Sequence, residues 1–134
     1  MKAAQDQGTQ IELLRARVNG FDNAAAYGVA RSIHQDRMRE SASPVGRKIG
    51  FTNRDMWRVY RVREPIWAFV YDTAVVHLAG SHGTCRIGQF TEPRVEPEIV
   101  LHFASVPPVS NEPTDILACI DWIAKGIEIV QSHS

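Results

Sequence analysis

The segment Arg94-Val-Glu-Pro-Glu-Ile-Val-Leu-His102 decides how the rest of the sequence is interpreted. Its β-branched and apolar residues predict a strand, whose side chains alternate between two faces, so Glu96 and Glu98 point the same way. Two neighbouring carboxylates repel each other unless a cation lies between them or one holds a proton. The pair suits a hard divalent cation such as Mg²⁺ or Mn²⁺. A solvated sheet face without any metal would show the same pattern of residues. Pro97 indicates an edge, a bulge or a strained site, because it lacks a backbone N–H.

Three residues outside this pair are further candidates for a site. Glu128 lies in the apolar run Ile127-Glu-Ile-Val130, where an unpaired carboxylate is costly to bury, so it either faces solvent or has a cation partner. Lys48 lies between two glycines in Gly46-Arg-Lys-Ile-Gly50, where a lysine either reaches a bound anion or is simply exposed. His102 lies on the same strand face as Glu96 and Glu98, because all three positions are even-numbered. It could therefore lie near the site, or it could be a hydrogen-bonded histidine of the core.

Outward from these segments, the order of elements predicts the fold class. A capping box at Thr9 to Glu12 predicts a first helix that ends at Gly20, and Asp22 or Asn23 opens a second. After it we expect two further helices, a short one after Thr52-Asn53 and one from Thr114 through Ile123. We also expect six strands, of which the one at 66–71 is buried, at 45–51, 66–71, 75–78, 84–87, 94–103 and 126–130. Helices followed mainly by strands indicate an α+β protein, with a helical segment at 1–44 and a strand-rich segment at 45–134.

Composition and charge exclude several classes of protein. The chain has 134 residues, 44% of them hydrophobic and 22% charged, which is too apolar for a disordered chain and enough for one domain. Net charge is zero, but residues 1–64 hold 12 basic and 7 acidic residues (+5) and residues 65–134 hold 3 and 8 (-5). No nucleic-acid motif accompanies the basic half, and no run suits a membrane span or signal peptide. With Cys85 and Cys119 far apart, we expect a cytoplasmic protein with buried or idle thiols.

Four segments in series resemble one family. They are Gly46-Arg-Lys-Ile-Gly-Phe-Thr52, Glu64-Pro65, Pro93-Arg-Val-Glu-Pro-Glu-Ile99 and Ile127-Glu-Ile-Val-Gln-Ser-His133. Together they resemble the N-terminal half of the 2-keto-4-pentenoate hydratase/4-oxalocrotonate decarboxylase branch of the fumarylacetoacetate hydrolase family. The resemblance implies two N-terminal helices followed by part of a mixed β-roll, with residues 45–134 as the catalytic segment. It also implies Mg²⁺ or Mn²⁺ bound by Glu96, Glu98 and Glu128, with Lys48 facing the substrate.

The resemblance implies a hydratase acting on small 2-oxo acids of the 2-hydroxypentadienoate type. A 2-oxo-acid decarboxylase of the same family needs the same metal and is the first alternative; a catalytically inactive truncated remnant that binds metal or a partner chain is the second. Many hydratases of this branch carry an aspartate directly after the Glu-Pro dipeptide, whereas this chain has Ile66, which cannot carry a proton.

The length of the chain sets the expectation for its partners. Family members are about twice as long, so we expect a fragment, a truncated gene product or one half of a split enzyme. An apolar last strand exposes an edge that another chain would cover. The expected partners are a small 2-oxo acid and either further copies of the chain or a separate C-terminal half, with no nucleic acid and no membrane.

Overall fold

The computed structural model describes residues 1–131, and the last two residues of the Ile127–His133 motif lie outside them. Among the described residues, contacts divide the chain into two units, of which the first contains Met1–Gln7 and Ile11–Cys85 and the second contains Gly8–Gln10 and residues 86–131. The predicted boundary at residue 44 separates a helical from a catalytic segment and stays a prediction.

The first unit contains most of the described helices, and each unit contains two of the described strands. The first unit contains α1 (Lys2–Gln7), α2 (Leu14–Arg17), α3 (Asn23–Arg39), β1 (Pro44–Gly50), α4 (Asp55–Tyr60) and β2 (Ile66–Tyr71). The second contains β3 (Arg94–Phe103), α5 (Pro113–Leu117) and β4 (Ile120–Val130). The described strands form two antiparallel pairs, β1–β2 and β3–β4, which confirms the α+β class. No described helix combines the length and the apolar character that crossing a membrane would require.

Helix α3 begins as the sequence predicts and covers one face of β1–β2. The Asp22 side chain accepts a hydrogen bond from the Ala25 N–H at 2.9 Å, which satisfies an amide at the helix start. The His34 ring stacks on Phe69 at 3.9 Å, and its Nδ1 lies 3.0 Å from the Tyr71 hydroxyl. Burial raises the pKa of Tyr71. These contacts join α3 to β2.

The first predicted helix is wrong. Residues 9–13 are not helical, and Leu13, not Thr9, precedes α2 without a side-chain capping bond. Gly8 takes a positive φ of 60°, which ends α1, and its carbonyl accepts a hydrogen bond from the Thr91 hydroxyl. Residues 8–10 are therefore held by contacts distant in sequence, which override the local capping signal.

Other differences concern short apolar segments. Residues 75–78 and 84–87 form no strand, and the 3₁₀ turns Asp72–Ala74 and Ile87–Gln89 lie beside them. The helix expected through Ile123 ends at Leu117, because the β-branched residues after it pair with β3 instead. Strand β2, expected to be buried, is partly exposed, with Trp67 at 43%.

Candidate metal centre

The pairing of β3 with β4 brings the three glutamates to one face. Glu96 lies directly opposite Glu128, and Glu98 lies opposite Gly126. Residues directly opposite in an antiparallel pair share a face, as do alternate residues of one strand. The alternation predicted for Glu96 and Glu98 puts these two on one face, and the strand pairing adds Glu128.

The geometry of this cluster fits one divalent cation. One carboxylate oxygen from each of Glu96, Glu98 and Glu128 lies within 4.8 Å of the other two. Oxygens that bind one ion at roughly 2.0–2.6 Å are at most about 5 Å apart, so these side chains need little movement to share an ion. Glu96 is exposed, and Glu98 and Glu128 are partly buried. Three carboxylates so close favour a cation, since an ion between them offsets their mutual repulsion.

Gly126 gives the cluster room. A Cβ at this position would lie 3.1 Å from a Val100 methyl and 3.5 Å from the Glu98 Cβ. A side chain here would push against Val100 and the Glu98 stem. The glycine at the start of the predicted strand 126–130 is the only signal in the sequence for this contact.

Comparison with known proteins finds related hydratases. A 2-hydroxyhexa-2,4-dienoate hydratase from Comamonas testosteroni is 30% identical over 107 residues, which are 76% of this chain and 39% of that enzyme. The 2-keto-4-pentenoate hydratase 1 of Dechloromonas aromatica is 27% identical over 134 residues, 99% of this chain and 50% of that enzyme. The chain is homologous to these hydratases. No protein-family model matches it.

A decarboxylase of known structure has the same fold as this chain. The solved structure of 4-oxalocrotonate decarboxylase from Pseudomonas putida G7, complexed with magnesium and adipate, matches 98% of this chain with a TM-score of 0.89 and 22% sequence identity. The match covers 49% of that chain, so this chain spans about half the length of the proteins it resembles. The family resemblance predicted from the four segments is confirmed.

Lys48 belongs to the first unit and the three glutamates belong to the second. Lys48 lies on β1 opposite Ala68, between Gly46 and Gly50 on the same strand face, and is partly buried. Helix α3 contacts the other face of this pair through Phe69. The lysine is thus on the β1–β2 face that also carries Ile66 and Val70, and its role stays a prediction.

His102 has polar and aromatic partners that the sequence did not reveal. Its Nδ1 lies 2.6 Å from Asp121 Oδ1, and its ring stacks on Trp122 at 4.6 Å. Its side chain is 48% exposed, which excludes a buried core histidine. The hydrogen bond from His102 holds the pKa of Asp121 below its usual value. The sequence prediction had placed Asp121 inside a helix, so it gave no reason to join the two.

Proposed function

We propose that this chain forms part of a divalent-metal-dependent lyase, a hydratase acting on small 2-oxo acids of the 2-hydroxypentadienoate type, with residues 45–134 as the catalytic segment. The observation that carries the proposal is the cluster of Glu96, Glu98 and Glu128 on one strand face. The names of its homologues, two of them hydratases, support the reaction class.

The donor set fits Mg²⁺ or Mn²⁺. All three donors are carboxylate oxygens, which hard divalent cations prefer, and no thiol or imidazole belongs to the described cluster. When bound, such a cation supplies Lewis-acid stabilisation of the enolate of a 2-oxo acid. The neighbour of known structure was complexed with magnesium, which supports a divalent metal here.

Side chains of the protein would supply the remaining charges at the site. The three glutamates hold negative charge at one end of the β3–β4 face, so the anionic carboxylate of a substrate is tolerated there only once the cluster is neutralised. The role of Lys48 rests on the family resemblance, by which its positive charge would stabilise negative charge that develops on a substrate oxygen. Placing a positive charge at that oxygen lowers the barrier to proton transfer at the substrate carbon.

A decarboxylase acting on 2-oxo acids is the second candidate. The specific observation in its favour is Ile66, the first residue of β2, which lies opposite Gly50 and has no titratable group. The neighbour with magnesium and adipate is itself named a decarboxylase. Turnover assays with both substrate types separate the two. An inactive remnant that binds metal or a partner chain would turn over neither.

The same strand pair supports a proposal about the partner. The face opposite the glutamates is apolar and exposed, with Ile99 at 74% and Ile127 at 69%. An isolated two-stranded sheet with such a face is marginally stable in water. We propose that it is covered by a polypeptide equivalent to the half of its relatives that lies outside the match, which would complete a mixed β-roll.

A second copy of this chain fits that face less well. Lys125 lies opposite Ile99 in the middle of it, so two copies packed face to face would bury two like charges in an apolar contact. Co-expression with the remaining half of a homologue should give a stable complex and raise hydratase turnover, whereas the chain alone should turn over poorly. A monodisperse monomer with robust turnover would contradict the proposal, and a stable homodimer would assign the face to a second copy.

Binding of oxalate, a small inert analogue of the chelating end of a 2-oxo acid, tests the proposed function. Calorimetry should detect oxalate only when Mn²⁺ is present. Lys48→Ala should weaken binding about tenfold, the size of one charge-assisted hydrogen bond, while Lys125→Ala, on the apolar face, should leave it unchanged. Equal binding without metal, or equal weakening by both variants, would contradict the assignment.

A further inference from the structure

A cavity in the first unit has both charged and apolar residues in its lining. Its volume is about 330 Å³. It lies between the start of α3, the connection from α4 to β2 and the first residue of β2, and is lined by Asn23, Arg61, Val62, Arg63, Glu64 and Ile66. All six belong to the first unit, whereas the three glutamates of the metal cluster belong to the second.

The two arginines of this cavity have no acidic partner among the described residues. Other arginines of the first unit do have partners: Arg37 forms an ion pair with a carboxylate of α1, and Arg47 lies over two aromatic rings. Arg61 and Arg63 make neither kind of contact within residues 1–131, and both are exposed. Their guanidinium groups are therefore available to an anion from outside the chain.

Arg61 occupies a backbone position that favours glycine. It ends α4 in the left-handed region, with a φ of 54° and a ψ of 34°, and its N–H donates a hydrogen bond to the Trp57 carbonyl. Glycine is the usual residue at such a helix end, because a Cβ disfavours this conformation. The chain thus has a long cationic side chain where the backbone alone would favour none.

The charges around the cavity suit an anion with a single charge. Two arginines and Glu64 leave the lining with a formal charge of +1. Glu64 Oε1 accepts a hydrogen bond from the Asn23 amide at 3.4 Å, so this carboxylate already has a partner. One carboxylate neutralises the remaining charge, and its two oxygens match the donors of a guanidinium group. A phosphate dianion or a dicarboxylate would leave an excess of negative charge.

Val62 and Ile66 give the same cavity an apolar part. Val62 is partly buried, and Ile66 is 41% exposed. A short alkyl group attached to the carboxylate would cover these side chains and remove apolar surface from water. The volume of the cavity is near the lower end of the range for ligand sites, so the acid is a small one.

We propose that Arg61 and Arg63 bind a small monocarboxylate with an apolar group in this cavity. The inference does not depend on the proposed function, because no residue of the cavity belongs to the metal cluster and binding needs no metal. Oxalate, which has two charges and no apolar group, is not a ligand of this kind.

An NMR titration of the whole chain without metal tests the proposal, because it detects weak binding and locates it. Three anions are compared: pentanoate, acetate and phosphate. We expect pentanoate to shift the amide signals of residues 61–66 and to bind about tenfold more tightly than acetate, since about half of three additional methylene groups is buried. Phosphate should bind less tightly than pentanoate.

Variants of the two arginines should weaken pentanoate binding. Arg63→Gln should weaken it about tenfold, the size of one charge-assisted hydrogen bond. Arg31→Gln removes the same charge from an exposed position on α3 outside the cavity and should leave the affinity unchanged. This control separates binding at the cavity from a general attraction of anions to the basic half of the chain.

Arg61→Gly should change binding and stability in opposite directions. Glycine adopts the left-handed conformation freely, so we expect the urea midpoint to rise, while loss of the guanidinium group should weaken pentanoate about tenfold. Arg61→Lys keeps the charge without the planar fork and should weaken binding less than Arg61→Gly does.

Three results would overturn the proposal. Pentanoate could fail to bind the wild-type chain, or it could bind Arg61→Gly and Arg63→Gln as tightly as the wild type. Arg31→Gln could weaken binding as much as Arg63→Gln does. Phosphate could bind more tightly than pentanoate, which would assign the cavity to another class of anion. Since no Mn²⁺ is present, these failures would leave the proposed function untouched.

Discussion

The two strand pairs of this chain are built alike and stabilised differently. In the first unit, α3 packs His34 on Phe69, and Arg47 lies 4.9 Å from the centre of the same ring. In the second unit, none of the described residues is buried, and apolar side chains such as Ile99 and Ile127 are mostly exposed. One antiparallel pair carries its own packing, and the other presents an apolar face and an acidic face.

The difference in packing indicates which strand pair depends on contacts from outside the pair. The β1–β2 pair gains packing from α3 through Phe69, although residues such as Ile49 and Trp67 stay partly exposed. A cation offsets the repulsion among three carboxylates gathered on one face, and covering an exposed apolar face removes it from water. We therefore expect the stability of the β3–β4 pair to respond to a divalent cation and to a partner chain.

The largest effect should come from truncating the packed ring. Phe69→Ala removes the stack with His34 and the ring contact with Trp67, so we expect a loss of about 2 kcal/mol in the free energy of unfolding. Ile99→Ala, on the exposed face of the other pair, should cost within about 0.5 kcal/mol. Urea unfolding of both variants, with no partner chain present, measures the difference. Equal losses would mean that the two pairs are packed alike.

Two glycine substitutions should sharpen the same comparison. Gly126→Ala places a methyl group against Val100 and the Glu98 stem, and we expect it to cost about 1 kcal/mol and to weaken Mn²⁺ binding several-fold. Gly46→Ala on β1 meets no atom within 4 Å and should be neutral or slightly stabilising. Mn²⁺ titrations and urea midpoints of both variants provide the readout. A Gly126→Ala protein that binds Mn²⁺ like the wild type would show that the cluster tolerates a side chain there.

The smallest effect should appear in acid. Hydrogen bonds from Lys2 and His102 lower the pKa values of Asp6 and Asp121 from 3.8, so each contact contributes stability above that pH and loses it as the pH falls through the lowered pKa. Both groups are exposed, so the loss should be modest. Asp6→Asn and Asp121→Asn should each flatten the acid end of the stability curve. An unchanged curve in either variant would show that its contact contributes nothing.

The positions of β1, β2 and β3 and the shared face of Glu96 and Glu98 could be predicted from the sequence because they depend on local rules. The start of α3 followed from the capping residue Asp22 in the same way. These features need only a few neighbouring residues to define them. Glu128 was assigned to the cluster by the family resemblance, and the pairing of β3 with β4 brings it there.

The remaining features depend on contacts between distant residues. Thr9 has the capping pattern of a helix, but the carbonyl of Gly8 is bonded to Thr91, and the helix starts later. Ile120 and Ile123 have helical spacing, but pairing with β3 makes them part of a strand. The register shift between His102 and Phe103, beside which Asp121 contacts His102, arises from that pairing, so no local pattern could reveal it.

The central claim is that three carboxylates on β3–β4 hold one divalent cation, and Mn²⁺ titration followed by thermal unfolding tests it most directly. A cation that binds only the folded chain must raise the melting temperature as its concentration rises. We predict this rise for the wild-type protein and for Glu112→Gln, whose carboxylate lies outside the cluster, and its loss in Glu98→Gln. A melting temperature that stays constant up to millimolar Mn²⁺, or an equal rise in Glu98→Gln, would contradict the account.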